Sequence, residues 1–152
     1  MAVEYREEPC RSALNRVQGM GFKWSLNPYM GCAHRCTFCY VRAFEKRADR
    51  PSDARYGTSI RVKVNVAEVL AHELARPGWT RESVAVGAAT DPYQPAEGKY
   101  RLTRGCIQAF AAARNPFSII TRGPPRVNRR IRLRGGAARA PVVARAAAPG
   151  DP

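Results

Sequence analysis

Residues 31–40 read GCAHRCTFCY, and the spacing of the three cysteines in this stretch decides how the rest of the chain is interpreted. Cys32, Cys36 and Cys39 are separated by three residues and then by two, so one short loop can wrap three corners of a cubane. Thiolates are the soft ligands that iron–sulfur clusters use. The motif therefore predicts a [4Fe–4S] cluster whose fourth iron is left open to a substrate or cofactor.

Three other interpretations of these cysteines remain open. A structural zinc site would need a fourth ligand, with His34 or Cys10 as candidates, but neither Cys10 nor Cys106 forms a second paired motif. A disulfide arrangement conflicts with the odd number of cysteines, 5, and with a reducing compartment. The third alternative is a set of buried structural thiols.

The composition is that of a globular protein with one domain. The chain has 152 residues, of which 45% are hydrophobic, and this suffices for one real core. The sequence has no apolar run near the roughly 20 residues that cross a bilayer, and its first ten residues lack the apolar centre of a signal peptide. We therefore expect a cytoplasmic protein without membrane contact, whose cysteines serve metal binding or catalysis.

Apolar patterns predict an α/β fold. The first predicted strand covers residues 23–30, with Asn27-Pro28 at its end, and buried-strand patterns follow at residues 84–89 and 117–121. Apolar and charged residues alternate at 60–64, which predicts a further strand. Strand, loop and helix repeated three times indicate βα units on a parallel sheet, where ligands bind at the carboxyl ends of the strands.

Two helices are predicted between these strands. Asn65 is the expected N-cap of the first helix, with Glu68 as its capping-box partner. Thr103 is the expected N-cap of the second, and Cys106 lies on its apolar stripe. A shorter helical segment of one or two turns is predicted for residues 41–47.

The cysteine motif resembles that of the radical S-adenosylmethionine (SAM) superfamily, whose hallmark is C-x3-C-x-aromatic-C after the first strand, with Phe38 in the aromatic place. A closer resemblance is to bacterial members similar to spore photoproduct lyase, often called DNA-repair-photolyase-like. It covers residues 10–123, and its motifs are SALN at 12–15, the cysteine stretch, KVNV at 63–66 and TDPYQPAE at 90–97.

This resemblance implies a fold, two cofactors and a set of site residues. The fold would be a partial (β/α) barrel of the radical SAM type, with about the first three βα units present and the later ones missing. Cys32, Cys36 and Cys39 would bind three irons, and SAM would chelate the fourth. The residues expected to contact SAM are Phe38, Tyr40, Thr90, Asp91 and Arg122, although each of the last four also has a purely structural explanation.

The net charge of +14 is unevenly distributed. Residues 1–121 hold 18 Lys/Arg and 11 Asp/Glu, whereas residues 122–152 hold eight arginines and one acid. The last 30 residues are dominated by Ala, Arg, Pro and Gly, which is typical of a disordered basic tail or of GC-rich DNA translated out of frame. The predicted organisation is a lead-in at 1–23, a radical SAM core at 24–122 and a low-complexity tail at 123–152.

The function expected from this resemblance is generation of a 5′-deoxyadenosyl radical, which abstracts hydrogen from an unidentified substrate. A nucleic acid is the candidate substrate, and a flavodoxin or ferredoxin would be the one-electron donor. Two alternatives stay open: a truncated, inactive fragment that binds the cluster, and a basic nucleic-acid-binding module that uses the tail. Lyase-like activity is expected only if the barrel is complete or complemented.

Overall fold

A computed structural model describes residues 2–47, 53–122 and 142–145. Within these ranges short strands and helices alternate irregularly along the chain. The elements are β1 (Glu4–Glu8), β2 (Leu14–Arg16), β3 (Trp24–Leu26), β4 (Tyr29–Met30), α1 (Val41–Arg47), β5 (Ser59–Lys63), α2 (Val66–Leu74), β6 (Val84–Val86), α3 (Ala96–Tyr100), α4 (Leu102–Ala112), β7 (Phe117–Thr121) and β8 (Val142–Arg145).

The strands form two mixed sheets. The smaller sheet has the order β1-β5-β4, with β1 and β5 parallel and β4 antiparallel to β5. The larger sheet has the order β2-β3-β6-β7-β8, in which only β2 runs antiparallel to its neighbour. The parallel strands β3, β6 and β7 bring their carboxyl ends to the same edge, and this edge positions the site described below.

The predicted partial (β/α) barrel is wrong. Among the described residues the strands divide between two mixed sheets, and neither sheet closes into a barrel. The division has a local cause, because the segment predicted as one strand at 23–30 is interrupted at Asn27-Pro28. Pro28 has no N–H for a ladder, and the Asn27 side chain accepts a hydrogen bond from the Ala89 N–H at 2.8 Å. As a result β3 joins the larger sheet and β4 joins the smaller one.

The segment expected to be a lead-in contributes two strands. β1 pairs with β5 from Glu4 opposite Ser59 to Glu8 opposite Lys63. β2 lies at the edge of the larger sheet, and the buried Glu73 carboxylate accepts hydrogen bonds from the Ala13 and Leu14 N–H groups next to it. A helix side chain therefore anchors this strand, which local patterning could not reveal.

The helix predicted after Asn65 is present as α2, but the capping box is not. The Asn65 amide instead exchanges two hydrogen bonds with the backbone of Cys10, at 2.7 and 3.1 Å. Helix α4 begins at Leu102, so Thr103 is not its N-cap. The first turn of α4 is capped by Glu97, whose carboxylate accepts the Thr103 and Arg104 N–H groups at 3.0 Å.

The apolar core lies between the sheets and the packed pair of helices α2 and α4. Its fully buried side chains include Leu26, Ile60, Leu70, Phe110 and Ile119. Phe110 stacks on Phe117 with ring centroids 5.0 Å apart. In the part of the chain that is described, none of the helices has the length and apolar character needed to cross a bilayer.

Candidate cofactor site at the cysteine loop

The cysteine loop, residues 31–40, covers the carboxyl ends of β6 and β7 and encloses a cavity of about 220 Å³. This cavity brings together all eight residues that the sequence analysis assigned to cofactor binding. They are Cys32, Cys36, Cys39, Phe38, Tyr40, Thr90, Asp91 and Arg122. His34 and Tyr56 also line it. Sequence reasoning considered His34 only as the fourth ligand of a zinc site, and it gave Tyr56 no place beside the thiols.

The loop is built from consecutive tight turns. The Arg35 N–H donates to the Cys32 carbonyl at 3.2 Å, and the Cys39 N–H donates to the Cys36 carbonyl at 3.3 Å. Arg35 takes a left-handed conformation with φ of 52°, which reverses the chain between the first two cysteines. The turns direct all three thiols to the cavity, and all three are free cysteines.

Cys32 is the most deeply placed thiol. Burial raises the pKa of its thiol, and the Asp91 carboxylate adds to the rise, while backbone N–H groups of His34 and Asp91 lower it. These N–H groups face the sulfur and would stabilise it as a thiolate when a metal displaces its proton. Cys32 is therefore equipped to become a ligand when a metal is bound.

Gly57 packs directly against the start of the loop. It has φ of +76°, and a Cβ atom built there would collide with the Cys32 carbonyl oxygen and come within 2.7 Å of the Arg35 side chain. Only glycine permits this approach, because its backbone has no side chain to displace. The segment before β5 is thereby held against the backbone of the first cysteine.

Thr90 and Gln94 hold the N-terminal half of the loop from the other side. The Thr90 hydroxyl donates to the Gly31 carbonyl at 2.7 Å. The Gln94 amide donates to the same carbonyl at 3.1 Å and accepts the Ala33 N–H at 3.1 Å. Gln94 is only 1% exposed, and both ends of its amide pair with the backbone of the loop. The Thr90 side chain, expected near SAM, is used to position the loop.

Asp91 connects three parts of the site. One carboxylate oxygen accepts the Thr121 hydroxyl at 2.7 Å and the Tyr93 N–H at 2.8 Å. The other accepts the Arg122 N–H at 2.8 Å and lies 3.5 Å from Nε2 of His34. The Asp-Pro turn that offered a structural explanation is present, yet the same side chain also joins β7 to the cysteine loop.

Arg122 reaches the cavity from the end of β7. Its Nη1 donates to the Cys36 sulfur at 2.8 Å, and its guanidinium lies 5.1 Å from the centroid of the Phe38 ring. Arg122 was expected to receive the SAM carboxylate, and its guanidinium is seen here against a thiol and an aromatic face. A guanidinium carries five N–H donors, so it can serve a sulfur and a carboxylate together.

Aromatic side chains form the rim of the cavity. Phe38 is 43% exposed and Tyr40 is 47% exposed. The Tyr40 hydroxyl donates to the Ala88 carbonyl, which connects the loop to the end of β6, and its ring meets Phe44 edge to face. The two exposed rings suit contact with a flat, partly apolar ligand.

Arg42 of α1 holds the C-terminal half of the loop. Its guanidinium donates to the Cys36 and Arg35 carbonyls, both at 3.0 Å, and lies 4.7 Å from the ring centroid of Tyr56. Sequence reasoning missed Arg42 and Tyr56, because only the folded chain shows that they meet the loop.

The side chains that line the cavity suit an iron–sulfur cluster better than a single metal ion. Within residues 2–47, 53–122 and 142–145, no three His, Cys, Asp or Glu side chains gather into a group that could hold a metal ion. A single ion takes all its ligands around one point, whereas each thiolate of a cubane binds a different iron at its own corner. Three soft thiols around one cavity are the donors that an iron–sulfur cluster takes.

The prediction of a nucleic-acid-binding tail, and that of a disordered or out-of-frame tail, fall on residues 123–152. These residues lie outside the described ranges, apart from the strand β8 at Val142–Arg145.

Comparison with known proteins gives relatives without a stated function. The chain is 45% identical over 124 residues to uncharacterised proteins of Mycobacterium bovis and Mycobacterium tuberculosis, a match that covers 80% of this chain and 36% of theirs. It is 23% identical over 120 residues to an uncharacterised protein of Methanocaldococcus jannaschii, covering 79% of this chain and 43% of that protein. No family model matches the chain, and no solved structure matches it. The chain thus spans about a third of the length of its mycobacterial relatives.

Proposed function

We propose that Cys32, Cys36 and Cys39 hold a [4Fe–4S] cluster and that the chain is a radical SAM protein. The single observation that carries this proposal is the arrangement of the three thiols. The C-x3-C-x-F-C loop lines one cavity with all three, directly over the carboxyl ends of two parallel strands. Polar and aromatic groups surround the same cavity, so a second ligand beside the cluster would find partners there.

The cluster together with SAM supplies one chemical capacity, the reductive cleavage of SAM to methionine and a 5′-deoxyadenosyl radical that abstracts hydrogen. The protein positions and encloses these groups. Thr90, Gln94 and Arg42 fix the loop backbone and so the directions of the thiols. Because these hydrogen bonds hold the loop, the three thiols are positioned before a metal binds.

Polar groups on the strand-end side of the cavity suit an aminocarboxylate. The Asp91 oxygen that accepts the Arg122 N–H has a further lone pair, and the carboxylate offers negative charge to an ammonium group. The Arg122 guanidinium offers bidentate donors to a carboxylate. Phe38 and Tyr40 present ring surface at the rim for a nucleoside base.

The substrate and the partners belong to the same proposal. A flavodoxin or ferredoxin would deliver one electron to the cluster, and a reducing cytoplasm would keep the five thiols available. A nucleic acid is the proposed substrate class, since exposed aromatic rings beside arginine can stack on bases. The chain spans about a third of the length of its mycobacterial relatives. We therefore propose the radical SAM activity for those longer proteins as well.

Anaerobic reconstitution with iron and sulfide tests the proposal. We expect a brown protein with about four irons per chain, which releases 5′-deoxyadenosine from SAM when dithionite is added. A cluster without cleavage of SAM would favour the alternative of an inactive cluster-binding protein. A colourless protein that holds a single zinc would contradict both.

A further inference from the structure

Tyr56 is a buried residue of the cavity whose hydroxyl group has no evident use. The side chain is 3% exposed and lines the same cavity as the three cysteines. Its hydroxyl is buried and, within the described part of the chain, has no hydrogen-bond partner. An unpaired buried hydroxyl destabilises the folded state, so such a group calls for an explanation.

The position of the Tyr56 ring is closely determined. The Arg42 guanidinium stacks over the ring at 4.7 Å and is itself fixed by two loop carbonyls. The Tyr56 N–H donates to the Asp53 carbonyl at 3.0 Å, and the neighbouring Gly57 packs against the backbone of Cys32. The Tyr56 side chain is therefore held in the cavity by the Arg42 guanidinium on its ring and by the backbone contacts of Tyr56 and Gly57.

Three thiols, those of Cys32, Cys36 and Cys39, line the same cavity as Tyr56. Burial raises the pKa of the Tyr56 phenol, and the negative charges that Cys39 and Cys32 carry as thiolates raise it further. Tyr56 lines the same cavity as Cys39, and no hydrogen bond is formed between the hydroxyl and that thiol. A phenol that keeps its proton is a donor, and a metal-bound thiolate is a better acceptor than a thiol.

We infer that the Tyr56 hydroxyl donates a hydrogen bond to the Cys39 sulfur when the cluster is bound, and that it raises the reduction potential of the cluster. The inference rests on the proposed function. A donor to a ligating sulfur withdraws negative charge from it, and this stabilises the more negative, reduced state. In the reduction one electron enters from the external donor, the net charge of the cluster falls by one, and the phenol proton stays on oxygen. Tyr56 is thus a tuning residue, and it does not bind iron.

The test is a redox titration of the reconstituted full chain, followed by the electron paramagnetic resonance signal of the reduced cluster. We expect Tyr56→Phe to keep the iron and sulfide content of the parent and to have a lower midpoint potential. The expected change is roughly tenfold in the ratio of reduced to oxidised cluster at a fixed potential, which is ~59 mV for one electron.

Tyr93→Phe is the matched control. Tyr93 also has a buried hydroxyl without a hydrogen-bond partner among the described residues, but it does not line the cavity. The two substitutions remove the same atom, so a general effect of losing a buried hydroxyl would appear in both variants. We expect the midpoint potential of Tyr93→Phe to equal that of the parent.

A second measurement covers the case in which Tyr56→Phe takes up little cluster. Site-specific incorporation of 3-fluorotyrosine at position 56 of the parent leaves the ring in place and makes its hydroxyl a stronger donor, so the midpoint potential should rise. An unchanged potential in the fluorinated parent, or in a fully loaded Tyr56→Phe protein, would overturn the inference and leave the proposed function intact. Failure of the parent to assemble any cluster would overturn both.

Discussion

The segment from Thr90 to Glu97 serves two regions of the molecule, the cysteine loop and the start of α4, and its polar side chains have a different role in each. Its first residues, Thr90, Asp91 and Gln94, face the cysteine loop and hold the backbone around the thiols. Its last residue, Glu97, faces the other way, accepts the Tyr29 hydroxyl at 2.5 Å and caps α4. A hydrogen-bonded polar side chain is thus no sign of function until its partners are known.

Loss of a thiol should have the largest effect, and this effect should be confined to the cysteine loop and leave the helix-capping region unchanged. Changing Cys32, Cys36 or Cys39 to alanine removes a ligand, and we expect the cluster absorbance to disappear while the chain stays folded. The matched control is Cys106→Ala, since Cys106 is fully buried in the core and is not among the residues that line the cavity. It should keep the cluster and lose about 1 kcal/mol of stability. Equal iron content in all four variants would contradict the assignment of the ligands.

Glu97→Ala should have the largest effect in the helix-capping region. It uncaps α4 and leaves the buried Tyr29 hydroxyl unpaired, and together these losses should lower the free energy of unfolding by about 3 kcal/mol. Urea unfolding followed by circular dichroism measures this change. The iron content of each folded chain should stay at the parental value, and a loss of iron without a loss of stability would place Glu97 in the cavity region.

Gln94→Met should lower both the free energy of unfolding and the retention of the cluster, each to a smaller degree. The side chain keeps its length but can no longer pair with the Gly31 carbonyl and the Ala33 N–H, which should cost about 2 kcal/mol. We also expect the cluster to be lost faster when a chelator is added, because the first cysteine sits between these two groups. Gln94→Glu keeps the acceptor for the Ala33 N–H, so its rate of iron loss should lie between those of the parent and Gln94→Met.

Arg42→Lys should produce the smallest change. A lysine keeps the positive charge but loses the planar contact with Tyr56 and the paired donors to the Cys36 and Arg35 carbonyls. The expected loss is about 1 kcal/mol of stability, with a modest fall in cluster retention measured in the same chelator assay. Retention equal to that of the parent would show that the C-terminal half of the loop needs no support from α1.

The residues that sequence reasoning placed in the cavity share one property. They occur in contiguous motifs that end strands, as in the cysteine stretch and the Thr90-Asp91 pair. Spacing within a loop and position after a strand are local features, so they can be predicted without knowing how the chain packs. The helix that begins at Val66 and the strand Phe117–Thr121 were found for the same reason.

The rest depends on contacts between distant parts of the chain. The partial barrel was wrong because no local pattern shows that β5 pairs with residues 4–8, or that the strands before and after the break at Asn27-Pro28 join different sheets. Asn65 has the sequence of a helix cap, yet its amide bonds to Cys10, 55 positions away. Tyr56 and Arg42 carry no motif, and only the packing of the loop brings them to the thiols.

The close contact of Gly57 with the Cys32 carbonyl also bears on how genetic variation in this protein should be read. A residue with no side chain cannot ligate, donate or titrate, so inspection of chemistry alone would rank position 57 among the neutral ones. Any added carbon would nonetheless press on the first cysteine, 25 positions earlier in the chain. In a saturation mutagenesis screen scored by the brown colour of the cluster in colonies, substitutions at position 57 should therefore be tolerated as poorly as substitutions of the three cysteines.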